Sequence, residues 1–121
     1  MAVYQLEIPA KERATLGRRW GVTGQSVYNW LCDKPVAGKR RMLDLAIKGM
    51  SVAPNRTPIE NLRNECEKRG MYLYQFYQIM AAGTQTKIKC SDPERVSLIH
   101  DVLRGIDIVG VDKVLAELPC A

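Results

Sequence analysis

The sequence predicts an all-α fold, in which an N-terminal pair of helices joined by a tight turn is followed by a smaller helical region. Three observations carry this expectation. Apolar residues recur at separations of three and four through most of the 121 residues, the spacing that places a stripe along one side of a helix. Pro9, Pro35, Pro54, Pro58, Gly21, Gly49 and Gly83 separate those stretches, where chain-breaking residues belong. Strand-like alternation is confined to residues 1–8 and, faintly, to 84–90.

Taken in order, Tyr4, Leu6 and Ile8 fall on one side of residues 1–8 and read as a short strand or extended arm that ends at Pro9. Ala14, Leu16, Gly17 and Trp20 fit one face of a helix over Ala10–Trp20, with proline suitably placed at its start. Thr23 is a good N-cap for a second helix whose inner face is Val27, Trp30 and Leu31. That helix is expected to end near Asp33, because Lys34-Pro35 blocks continuation. A third helix follows from about Ala37 to Gly49, with Met42, Leu43, Leu45, Ala46 and Ile47 inward and Lys39, Arg40 and Arg41 at its start.

Residues 51–57, between Gly49 and Pro58, read as a linker that separates an N-terminal domain (1–50) from a helical oligomerisation or accessory region (58–121). Thr57-Pro58 opens the second region, where Ile59, Leu62, Cys66, Leu73, Phe76 and Met80 keep a helical rhythm that Arg69 and Gly70 interrupt. Either one kinked helix or a helical hairpin satisfies that pattern. Ser91-Asp92-Pro93-Glu94 is a strong start signal for a helix with Val96, Ile99, Leu103 and Ile106 on its face. A last short helix runs from about Val111 to Leu118.

Charge and cysteine usage narrow the functional classes. Up to Thr57, ten Lys or Arg stand against four Asp or Glu, and from Pro58 onward eight stand against nine. The basic character of a chain with net charge +5 therefore lies in its first half, as expected where one half meets a polyanion and the other meets protein. Cys32, Cys66, Cys90 and Cys120 are scattered singly, without the close pairs or His partners of a zinc site, so no metal or other cofactor is expected. A cytoplasmic protein with reduced thiols, no secretion signal and no membrane span is the expectation. Asp92, Glu94, Asp101, Asp107, Asp112 and Glu117 read as ordinary helix-surface and capping charges, and His100 as a surface or partly buried side chain. With no base set beside a nucleophile, no enzyme is expected.

The functional content concentrates in residues 13–32, RATLGRRWGVTGQSVYNWLC. Gly17 permits close approach of two helices, and Gly21 can adopt the left-handed conformation that turns the chain. Leu16, Trp20, Val22, Val27 and Trp30 supply the small core that fixes the crossing. Together with the proline and basic helix of residues 35–47, PVAGKRRMLDLAI, this stretch resembles the helix-turn-helix of Cro- and cI-type, lambda-repressor-like phage regulators, over residues 13–47.

That resemblance implies a second helix lying in the major groove of double-stranded DNA with its N-terminal side chains at base edges. The outward positions are Thr23, Gly24, Gln25, Ser26, Tyr28 and Asn29. Gln25 and Asn29 carry amides suited to bidentate pairing with adenine, and Ser26 can donate or accept at most base edges. Thr23 and Tyr28 complete the base-reading set. Arg18, Arg19, Lys34, Lys39, Arg40 and Arg41 flank it and are the expected phosphate contacts. One such unit reads few base pairs, so a homodimer on paired half-sites is expected. The aromatic run Tyr72-Leu73-Tyr74-Gln75-Phe76-Tyr77 supplies the apolar surface for it, with Leu73, Phe76, Tyr77 and Met80 as the dimerisation residues. The expected function is a sequence-specific transcriptional regulator, repressor-like and of phage or prophage type. A phage-type inhibitor that binds a host protein, and a DNA-packaging or replication accessory subunit, remain open beside it.

Overall fold

The computed structural model describes residues 8–33, 38–50, 53–81 and 93–118. They are all-α: seven helices, α1 (Ala10–Trp20), α2 (Gly24–Leu31), α3 (Lys39–Gly49), α4 (Leu62–Lys68), α5 (Leu73–Ile79), α6 (Pro93–Val109) and α7 (Val111–Ala116), with no strand among the described residues. The expected arm lies mostly outside them, as do Lys34-Pro35 and the Ser91-Asp92 start signal. Ile8 is described, and it is buried.

Local chemistry sets the first two helices. The chain turns at Gly21, whose φ of 68° lies in the left-handed region and whose amide returns to the Gly17 carbonyl. A Cβ on Gly17 would stand 2.5 Å from the Val22 carbonyl oxygen, so only glycine fits where the turn folds back over α1. Thr23 then caps α2 as expected, accepting from the Ser26 amide at 3.1 Å. The start of α3 is tied to the end of α2 by Asp33, whose carboxylate accepts from the Lys39 amide at 2.8 Å.

The core is organised around α6, the longest helix, which packs chiefly on α3 and also on α1 and α7. Its buried residues, Val96 to Ile99, Asp101 to Leu103, Gly105 and Ile106, surround most of the helix, as expected of a helix buried on several sides. Backbone approaches backbone where α3 crosses it: a Cβ on Gly105 would collide with the Leu45 carbonyl, and one on Gly49 with the Asp101 carbonyl. Leu43, Ala46, Phe76, Ile99, Val102 and Ile106 belong to one cluster with Leu16, Trp20 and Val27. Residues on both sides of 51–57 therefore share a core, and that segment changes the element without changing the core.

The region after residue 57 resolves the two options in favour of a pair. Helix α4 starts at Leu62, later than Thr57-Pro58 suggests, because Asn61 caps it by accepting from the Asn64 amide at 3.2 Å. Gly70, with φ of 80°, separates α4 from α5. His100 ties α6 to the preceding segment: its Nε2 lies 2.8 Å from the Thr57 carbonyl oxygen. No described helix is long and apolar enough to cross a membrane.

Candidate nucleic-acid interface

Helix α2 has one side locked into the protein and one side open. Val27 is fully buried, and Trp30 stands against Trp20 with ring centroids 6.2 Å apart. The residues on the far side of the helix are exposed: Gln25, Asn29 and, at 40% exposure, Tyr28. Gln25 Nε2 donates to Asn29 Oδ1 at 3.1 Å. The pair is thereby aligned along the helix, with the Gln25 carbonyl and the Asn29 amino group left to face outward as an acceptor and a donor.

Arg13 of α1 lies over the Tyr28 ring, 5.0 Å from its centroid, within the range of a cation–π contact, and also donates to the Ile8 carbonyl. Ala10, Arg13, Gly24, Gln25 and Tyr28 border a shallow recess between the two helices. The Tyr28 phenol is held above its ordinary pKa, first by a hydrogen bond with the Cys32 side chain one turn on, against the opposing charge of Arg13. Tyr28 is thus a neutral donor at physiological pH.

Thr23 and Ser26 are partly spent on the helix itself. The Thr23 hydroxyl caps α2 and lies 3.1 Å from the Ser26 hydroxyl, so these two organise the helix start, while Gln25, Tyr28 and Asn29 form its outward surface. Gly24 does not face outward: a Cβ there would meet Ala14 of α1 at ordinary contact distance.

The six expected phosphate contacts separate sharply. Arg18 is exposed and, among the described residues, donates to Thr15 on its own helix, and Arg40 is half-buried. Arg19 is turned inward. Its Nε and Nη2 donate to the two carboxylate oxygens of Asp101 at 2.7 and 2.9 Å, and Trp20 Nε1 donates to the same carboxylate at 2.8 Å. The Asp101 side chain is completely buried, so it is no helix-surface charge, and both it and Arg19 are corrected to core groups. The pairing is forced by cost, because a buried carboxylate without a cation and donors is prohibitively expensive.

Arg41 is likewise buried, donating to the Val114 carbonyl and to Glu117. Lys39 donates to the Met80 carbonyl at the end of α5, 2.9 Å away, where the helix dipole favours a cation. Burial, then the nearby charge of Arg95, lowers its pKa. Arg19, Arg41 and Lys39 are therefore structural cations, and Lys34 lies outside the described residues. Arg13 is the cation set beside the outward face of α2, while Lys11 and Arg18, two turns apart and exposed, share a separate stripe of α1.

The aromatic run is corrected in the same way. Phe76 and Met80 are buried in the protein's own core because α5 packs against α3, and Leu73 and Tyr77 are half-buried against that core. Tyr72 and Tyr74, on the outer side, are the exposed members. Among the described residues no group of three His, Cys, Asp or Glu side chains is placed to hold a metal ion. Sequence spacing overlooked Asp101, although its place three residues after Leu98 and four before Gly105 puts it on a stripe of small and apolar residues. No protein-family model, curated protein or solved structure matches this chain.

Proposed function

We propose that this protein binds double-stranded DNA sequence-specifically through α2, as a homodimeric transcriptional regulator of the repressor-like phage type. The observation that carries the reading is the division of α2 into a locked side, Val27 and Trp30, and an outward amide pair, Gln25 and Asn29. A helix fixed by its core can hold these amides against base edges without first ordering itself, and a donor–acceptor pair matches the N6 and N7 groups of adenine in the major groove. Tyr28 and Arg13 lie beside them, and Lys11 and Arg18 supply backbone contacts that position the helix without reading sequence.

The cations committed to the core change the expected salt response. Three phosphate contacts per chain, Lys11, Arg13 and Arg18, make six for the dimer and correspond to a slope of about −5.4 in log affinity against log salt, or roughly two-thousandfold weaker binding for a fourfold rise in salt. The deciding experiment selects bound fragments from random duplex DNA and then compares the selected site with random duplex. Gln25→Ala and Asn29→Ala are expected to reduce the preference for the selected site by roughly tenfold to a hundredfold each, with binding to random DNA nearly unchanged. Equal losses on both duplexes, or no salt-dependent binding to either, would falsify the reading.

A further inference from the structure

We infer that the face carrying Tyr72 and Tyr74 is the surface through which two copies of this chain pair, in a two-fold contact that sets Arg63 of each copy against Glu67 of the other. The inference gives a location to the dimer of the reading above and rests on it only in that respect.

Tyr72 and Tyr74 are 68% and 57% exposed, and their rings stack on each other with centroids 5.8 Å apart and planes 10° from parallel. They are not a loose pair. The Tyr72 amide donates to Gln75 Oε1 at 2.8 Å, and the opposite side of α5 is anchored by Phe76 and Ile79 in the core. A stacked aromatic pair of this kind is a common anchor of a protein interface, since it loses little conformational freedom on contact. Leu73 and Tyr77 form the floor of the shallow groove beside it, and Arg63 and Glu67 of α4 form its edge.

Those two edge charges identify the occupant. Arg63 and Glu67 are exposed and one helical turn apart, yet neither has an ion-pair partner among the described residues. On the same helix Lys68 and Glu65 do pair. The order from Arg to Glu along a helix is the less favourable one for pairing within the helix, which leaves both charges available. One cation and one anion a turn apart on the same edge make a self-complementary surface: under a two-fold axis that passes between them each Arg63 meets Glu67 of the second copy, the contact occurs twice, and the tyrosine pairs lie on either side of the axis. A polyanion finds no such match, because Glu67 repels it.

The test is the self-association of the full chain, followed by sedimentation in the absence of DNA. The wild-type protein is expected to dimerise, and Tyr72→Ala combined with Tyr74→Ala to weaken the dimer by about a hundredfold. Arg63→Glu alone and Glu67→Arg alone each place like charges opposite one another and are expected to weaken it by about tenfold. Mixing these two single variants is expected to restore association, because every contact across the mixed dimer is then attractive. All substituted positions are exposed, and unchanged thermal midpoints verify that each variant folds. A monomeric wild-type chain, a dimer indifferent to these substitutions, or a monomer whose tyrosines instead bind single-stranded nucleic acid each overturns the inference. Because DNA is absent, failure here is distinguishable from failure of the DNA reading, which the Gln25 and Asn29 variants address.

Discussion

The outward side of α2 and the seam between α1, α3 and α6 draw on similar polar residues and use them in opposite ways. Arg18 and Arg19 are neighbours in sequence and about 100° apart around α1. The first lies in water beside Thr15, and the second is clamped to a buried carboxylate. At the seam, Arg19, Trp20 Nε1 and Asp101 are enclosed and satisfy one another, so they hold the fold. On α2, Gln25 and Asn29 satisfy only part of their hydrogen-bonding capacity and leave the rest outward. Polar residues here fall into two populations, those the core consumes and those a partner can use, and the distinction follows burial.

The largest expected effect strikes the seam. Asp101→Ala leaves the Arg19 guanidinium enclosed without its anion and Trp20 Nε1 without its acceptor, and is expected to cost about 3–5 kcal/mol in denaturant unfolding. Gln25→Ala and Asn29→Ala are expected to change stability by less than about 0.5 kcal/mol in the same measurement. Losses of similar size at the two places would erase the distinction.

The thiols sharpen the same contrast. Cys32 is exposed beside Tyr28, whereas Cys66 is buried, and burial pushes the Cys66 thiol up from 9.0 to about 11. The native state keeps a proton that the unfolded chain gives up between those values. Its contribution is therefore full below pH 9 and is lost as pH rises through 11, by about 2 to 3 kcal/mol. Unfolding measured from pH 8 to pH 11 is expected to show this decline, and Cys66→Ala to remove that part of it. Thiol reagent should label Cys32 in the native protein and spare Cys66. An alkaline decline that is identical in Cys66→Ala breaks the contrast.

The smallest effect separates the adjacent arginines. Arg18→Ala is expected to leave stability within about 0.5 kcal/mol and, removing one contact from each chain of the dimer, to reduce the salt slope of DNA binding by about 1.8. Arg19→Ala, by contrast, is expected to destabilise the fold by stranding Asp101. A change in slope without loss of stability for Arg19→Ala would return that residue to the phosphate set.

Much of the architecture is legible in the sequence because it is local. The bounds of α1, the turn at Gly21, the Thr23 cap and the inner face of Val27 and Trp30 all follow from three- and four-residue spacing and capping chemistry acting within a few residues. The break between α4 and α5 is marked by Gly70, although the start of α4 depended on Asn61 as its cap. The outward position of Gln25, Tyr28 and Asn29 was equally legible, since it is the complement of the apolar face. The identity of the free cations was not. Lys39, Arg40 and Arg41 crowd one helix start, and nothing within ten residues distinguishes the buried Arg41 from its neighbours.

The sequence by itself determined an all-α chain, the position of its first helices and the polar face that α2 turns outward, because helix periodicity and capping are short-range effects. Only the tertiary structure decided that residues on both sides of 51–57 share one core, that Asp101 draws Arg19 inward, and that Phe76 and Met80 are core while Tyr72 and Tyr74 are surface. The physical reason is distance along the chain. Arg19 and Asp101 are separated by 82 residues, and Lys39 and Met80 by 41. A buried charge is satisfied by whichever group the packing of α6 and α5 brings to it, and no local pattern records that choice.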